Sequence, residues 1–169
     1  MTISMYNASV PIFKQLLGAL SSVLSKAETH VLNNKMAPDL FLQASLFPDM
    51  FNLIRQVQIA TDFAKGITAR LAGVDAPVYE DNEVSFQDLQ ARIAKTLFFI
   101  GSIQATQING SEERDIILRP GTAKEKTFTG QDYLLHYGLP QFFFHVTTAY
   151  AILRNKGVEI GKRDYMGTF

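Results

Sequence analysis

Two glutamines, an aspartate, a histidine and a tyrosine stand at spacings from which this chain could build chemistry. In LLHYGLPQFFFHVTTAYAILRNKG, residues 134–157, Gln141 and His145 are four positions apart. On a helix they lie one turn apart on one face. Gln58 and Asp62 repeat that spacing in QIATD and sit at a boundary that looks toward a cleft or toward water. An imidazole with amide and carboxyl neighbours can bind a small molecule, act as a base or ligate a metal. Tyr150, five residues after His145, adds a hydroxyl. Gln58, Asp62, Gln141, His145 and Tyr150 are therefore the candidate ligand pocket.

The three histidines do not gather. His136 precedes His145 by nine residues, which at ~100° per residue puts it about 180° away on a continuous helix. His30 reads as a solvated residue complementing the negative end of the first helix. A catalytic zinc site wants three protein ligands and an open position, and a glutamine carbonyl is a weak neutral donor. No cofactor is expected on these grounds. His145 is the weak candidate ligand should a divalent ion such as zinc or nickel bind, with Asp62 able to contribute if helix rotation allows. The structural reading of His145 is a core imidazole bonded to Gln141, Asp62 or a backbone carbonyl, because a buried N–H needs a partner. Phosphate-binding glycine loops, G-x-S-x-G and H-E-x-x-H are absent. YEDNE, residues 79–83, reads as a solvated acidic loop, and Asp75 and Asp81 show no partner. GKRDY, residues 161–165, is a charged tail that packs or binds.

Four amphipathic patterns must position these residues. Val10, Phe13, Leu17, Leu20, Leu24, Ala27 and Val31 fall at alternating intervals of three and four, the seam of a helix packed lengthwise on others. Pro48 and Asp49 suit the start of a second helix whose seam is Met50, Leu53, Val57, Thr61, Ala64, Thr68 and Leu71, ended by Gly73. Ser85 and Asp88 resemble a capping box for a third helix carrying Phe86, Leu89, Ile93, Leu97, Ile100 and Ile103. RDIILRP and EKTFTG predict a β-hairpin. Thr129 and Asp132 then cap a fourth helix, from about Gln131 to Asn155, with a break or kink at Gly138–Pro140. The expectation is an all-α, antiparallel four-helix bundle with a small β-hairpin insertion before the last helix, one domain over residues 1–169.

Bulk composition narrows the function classes. Sixteen basic residues balance sixteen acidic ones, so no net field favours nucleic acid or an anionic membrane. The absence of cysteine removes thiolate metal sites and disulfides and points to the cytoplasm. No apolar run approaches the ~18–20 residues of a membrane span. Phe51, Ile59 and Phe63 lie away from the second seam, more apolar surface than a solvated face shows, which suits a homodimer interface.

FPDMFNLIRQVQIATDFAKGITARLAG and FTGQDYLLHYGLPQFFFHVTTAYAILRNKG together resemble an uncharacterised domain family grouped with the DinB/YfiT-like metalloenzyme superfamily. The resemblance spans nearly the whole chain. It implies a four-helix bundle, often dimeric, in which many members hold a divalent metal on three histidines, one from helix 2 and an H-x-x-x-H pair from a late helix. Some members act with a low-molecular-weight thiol. The superfamily's LR-x-x-G ending corresponds here to Leu153, Arg154 and Gly157. Counting back aligns His145 with the second histidine of the pair and Gln141 with the first. The helix-2 position falls near Gln58 or Ile59. The implied site is thus degenerate. The expected function is a small-molecule-binding bundle protein with a polar pocket near His145; the alternatives are a metal- or thiol-dependent transferase or hydrolase using His145, and a dimeric interaction protein.

Overall fold

The computed structural model describes residues 3–168. Four helices there exceed fifteen residues: α1 (Val10–Asn33), α3 (Leu53–Ala72), α4 (Phe86–Ser102) and α7 (Leu139–Asn155). Short segments fill the connections: α2 (Asp39–Leu42), α5 (Ala105–Ile108), α6 (Gly130–Asp132), and α8 (Lys162–Met166). Strands β1 (Asp115–Leu118) and β2 (Lys126–Thr129) pair antiparallel, with Asp115 opposite Thr129, ahead of the last long helix. None of the described helices is long and apolar enough to cross a membrane.

The seams become the core. Every expected seam residue of α1 is buried, as are Val57, Thr61, Ala64, Thr68 and Leu71 of α3. α3 packs against α4 and α7, and α1 packs against α4, α7 and α8. Gln56 meets His145, Ile67 approaches Gly138, and Arg70 reaches Tyr133. One sequence number rises as the other falls, so α3 and the last helical run are antiparallel. Ser21 on Gln90 and Lys14 on Gly101 give the same sense for α1 and α4.

One boundary differs from expectation, and the form of one helix irregularity is decided. The second long helix starts at Leu53, not at Pro48, because Asn52 accepts a hydrogen bond from the Arg55 amide at 2.9 Å and supplies the cap. The Phe47–Met50 turn precedes it. The last helical run does not break at Gly138–Pro140. It passes from α6 through a π-helical turn over Tyr133–Gly138 into α7. Pro140 cannot donate to the carbonyl four residues back; the wider turn, in which Leu139 N–H donates to Leu134 O, absorbs that mismatch. GKRDY packs: Lys26 pairs with Asp164 at 2.6 Å, and the Tyr165 hydroxyl lies 3.0 Å from Thr147 Oγ1.

Candidate functional site

His145 projects from α7 toward the first turns of α3, and its partner there is Gln56. The His145 Nδ1 to Gln56 Oε1 distance is 2.7 Å. Gln56 is buried, three residues after Leu53 and four before Ala60, on the same helix face as both. Its amide nitrogen donates to Phe51 O at 3.1 Å. A carbonyl only accepts, so Gln56 must turn its nitrogen to Phe51 and its oxygen to His145. The imidazole proton therefore resides on Nδ1, and Nε2 keeps its lone pair. Nε2 has no hydrogen-bond partner among the described residues, yet it is not a sealed-in orphan; Ser111 Oγ alone has that status.

The surroundings keep this imidazole neutral. Phe63 stacks on it at 6.0 Å with rings 15° apart, and Phe144 meets its edge at 5.2 Å. Burial first, and then the positive charge of Arg55, push the His145 pKa down to about 4.

A second polar centre lies on the α3–α4 face, around Arg92. Its side chain is fully buried, and a buried guanidinium requires compensating groups. Nη1 donates to both Glu83 oxygens, at 3.0 and 3.2 Å, and to Glu80 O at 3.0 Å. Nη2 meets Asp62 at 2.9 Å and Asp81 at 3.0 Å, and Nε donates to Thr61 Oγ1 at 2.8 Å. Burial pulls the Arg92 pKa down, but the Glu83 hydrogen bonds and the charges of Asp62, Glu83 and Asp81 outweigh it and raise the pKa. Arg55 also bonds Asp81. Burial pushes the Asp81 carboxyl upward, whereas its bonds and charges from Arg55 and Arg92 lower it on balance. Tyr79 completes the clamp, its ring 4.0 Å from Lys65 Nζ and 4.2 Å from Lys95 Nζ. YEDNE is thus solvated only in part: Glu80, Asp81 and Asn82 are exposed, but Tyr79, Asp81 and Glu83 also fold onto Arg92. Asp81 has two partners where the sequence showed none.

The five candidate residues are distributed between these centres and beyond them. His145 sits with Gln56, not with Gln141, Asp62 or a backbone carbonyl. Gln58 is buried, accepting from Arg55 Nη1 at 3.1 Å and donating to Glu83 Oε2 at 2.8 Å. Asp62 belongs to Arg92 and to Lys65, 3.1 Å away. Gln141 is half-buried, and its side chain makes no hydrogen bond among the described residues. Tyr150 packs against Tyr165 with ring centres 5.8 Å apart. His136 is exposed, 3.8 Å from Asp132. Of the interface candidates, Phe63 covers His145, Ile59 is half-buried and Phe51 is exposed.

Arg92 and Gln56 went unread in the sequence. Both carried a signal: Arg92 falls three residues after Leu89 and four before Thr96, a charge on the buried face, with acidic residues just upstream to meet it. Among the described residues, no three histidine, aspartate or glutamate side chains gather as a group able to hold a metal ion.

Comparison with known proteins places this arrangement. A family model described as a domain of unknown function, DUF1993, matches residues 5–166. The crystal structure of a DinB family member protein from Shewanella denitrificans is similar, at 37% identity and a TM-score of 0.91, covering 97% of this chain and 92% of that one. No curated protein matches the chain.

Proposed function

We propose, for a chain that belongs to the DUF1993 family of domains of unknown function, a small-molecule-binding role in which His145 acts as a neutral hydrogen-bond acceptor without a resident metal. The observation that carries this reading is the fixed tautomer. Gln56, itself anchored to Phe51 O, holds the proton on Nδ1 and leaves the Nε2 lone pair for a ligand. Phe63 and Phe144 supply an apolar wall on two sides of the ring. A protic small molecule with an apolar body suits such a site.

An Nδ1–H bonded to a carbonyl, with Nε2 free, also describes a metal-ligating histidine. The rest of the donor set does not fit a divalent ion. Gln56 already bonds the ring, Gln141 is an amide, and Asp62, Asp81 and Glu83 are committed to Arg92. The Arg55 charge that disfavours the imidazolium would equally disfavour a cation at Nε2. The same low pKa makes His145 a weak base near neutrality, where an efficient general base titrates close to the working pH. Binding is favoured over acid–base catalysis.

Zinc addition tests this directly. An ion bound to the folded state and present at ~100 times its Kd would add about 2.7 kcal/mol of stability. One equivalent of zinc or nickel is expected to leave the melting temperature unchanged, with substoichiometric metal after dialysis. Stoichiometric retention by elemental analysis would overturn the metal-free reading.

A further inference from the structure

Phe63, which stacks on His145, also lines a groove of about 200 Å³ between α3, the hairpin and the π-helical turn. Phe63, Leu118, Tyr133 and Tyr137 line it together with Arg70 and Arg119. Neither arginine has a carboxylate partner among the described residues. Asp62 also borders the groove, but its charge is answered by Arg92 and Lys65 at 2.9 and 3.1 Å. Two arginines with no carboxylate partner among the described residues therefore share a groove with three aromatic rings.

The backbone around this groove is unusual at two independent places. Arg119 has φ of +53°, a left-handed conformation that costs a side-chain-bearing residue energy, and it directly precedes Pro120, whose ring restricts it further. The π-helical turn puts Tyr133 and Tyr137 four residues apart with rings stacked 5.9 Å apart at 22°. π-Turns and sparsely populated backbone conformations both concentrate at functional sites. A third feature is steric. A Cβ on Gly66 would lie 2.6 Å from Arg70 Nη1; the bare glycine lets the guanidinium fold back along α3 and donate to Tyr133 Oη at 3.2 Å. Because Tyr133 Oη accepts from Arg70, its own proton is uncommitted and can be donated into the groove.

We propose that this groove binds a small aromatic carboxylate. Its oxyanion is taken by Arg70, Arg119 and the Tyr133 hydroxyl, and its ring by Phe63, Leu118 and Tyr137. Planar guanidiniums match a carboxylate in geometry as well as charge. Sites for drug-sized ligands run to roughly 300–1,000 Å³, so a groove this small selects a one-ring molecule. His145 does not line the groove, and the assignment does not depend on the role proposed for that residue.

Benzoate is the probe. Titrated into the whole chain and followed by amide NMR, it is expected to shift Phe63, Arg70, Arg119, Tyr133 and Tyr137 saturably. Benzyl alcohol, which keeps the ring and lacks the charge, should bind at least tenfold more weakly. Arg119→Gly should also weaken benzoate at least tenfold, while its melting temperature holds or rises, because glycine accepts the left-handed conformation. Equal binding of benzoate and benzyl alcohol, an unaffected Arg119→Gly variant, or no saturable shift would each overturn the assignment.

Discussion

Replacing Arg92 by methionine lowers the unfolding free energy by about 3–5 kcal/mol, the usual loss when one member of a buried ion pair is removed. The methionine keeps most of the apolar stem, so the loss is electrostatic rather than a packing cavity. Glu83 is the reason. It is itself buried, and without the guanidinium its carboxylate keeps one short hydrogen bond, from Gln58. Asp62 and Asp81 are each about two-fifths exposed, at 40% and 42% of the side chain, and can rehydrate. Changing Glu83 to methionine as well should therefore recover a substantial part of the loss, because neutralising a buried pair together is far cheaper than orphaning one member. The single variant should also free residues 79–83 from α4, read as new proteolytic cleavage in that segment. Denaturant unfolding of the two variants and the parent checks this. A single variant within 1 kcal/mol of the parent would contradict the clamp.

Acid destabilises the fold through His145 across a defined window. The folded pKa is depressed, from 6.5 to about 4. Above 6.5 neither folded nor unfolded chain protonates this ring, and its stabilising contribution is complete. Between 6.5 and about 4 the unfolded chain takes up a proton that the folded chain does not, so stability falls as pH falls. Below about 4 both states bind it and this residue adds no further slope. At ~1.4 kcal/mol per pKa unit the loss is on the order of 2–4 kcal/mol. The lowered carboxyls Asp81, Asp88 and Asp164 act in a more acidic range, since their ordinary value is 3.8. Unfolding measured from pH 8 to pH 4 on the parent and on His145→Gln isolates the term: the difference between the two curves should slope across that window. Parallel curves would contradict a neutral buried imidazole.

The long helices were legible in the sequence because their evidence is local. A seam at intervals of three and four, Ser85 with Asp88, and Gly73 as a left-handed terminus each specify a feature from a few adjacent residues. Ser85 does accept from the Asp88 amide at 3.1 Å, and Gly73 has φ of +69°. The polar interior was harder, because its partners are distant in sequence. His145 and Gln56 are 89 residues apart, and Arg92 and Asp62 are 30. Helical phase separated His136 from His145 correctly, but phase on one helix says nothing of which residue a second helix presents opposite. Gln58 and Gln56 differ by two positions, about 200° of helix, and the neighbouring chains decide between them: Gln58 faces Glu83 while Gln56 faces α7. The form of the irregularity at Gly138–Pro140 was not legible for a related reason. Gly138 and Pro140 state that ordinary α-helical bonding must fail there, but whether the chain breaks or widens depends on packing against Ile67, which leaves no room for a side chain at residue 138.

The ring nitrogens of His145 carry the central claim, and long-range ¹H–¹⁵N NMR reads them directly. At pH 7 the account predicts Nδ1 protonated and Nε2 unprotonated, a titration midpoint near the folded value of about 4, and no change with one equivalent of zinc. A proton on Nε2, a midpoint near 6.5, or a zinc-dependent shift of Nε2 would contradict it.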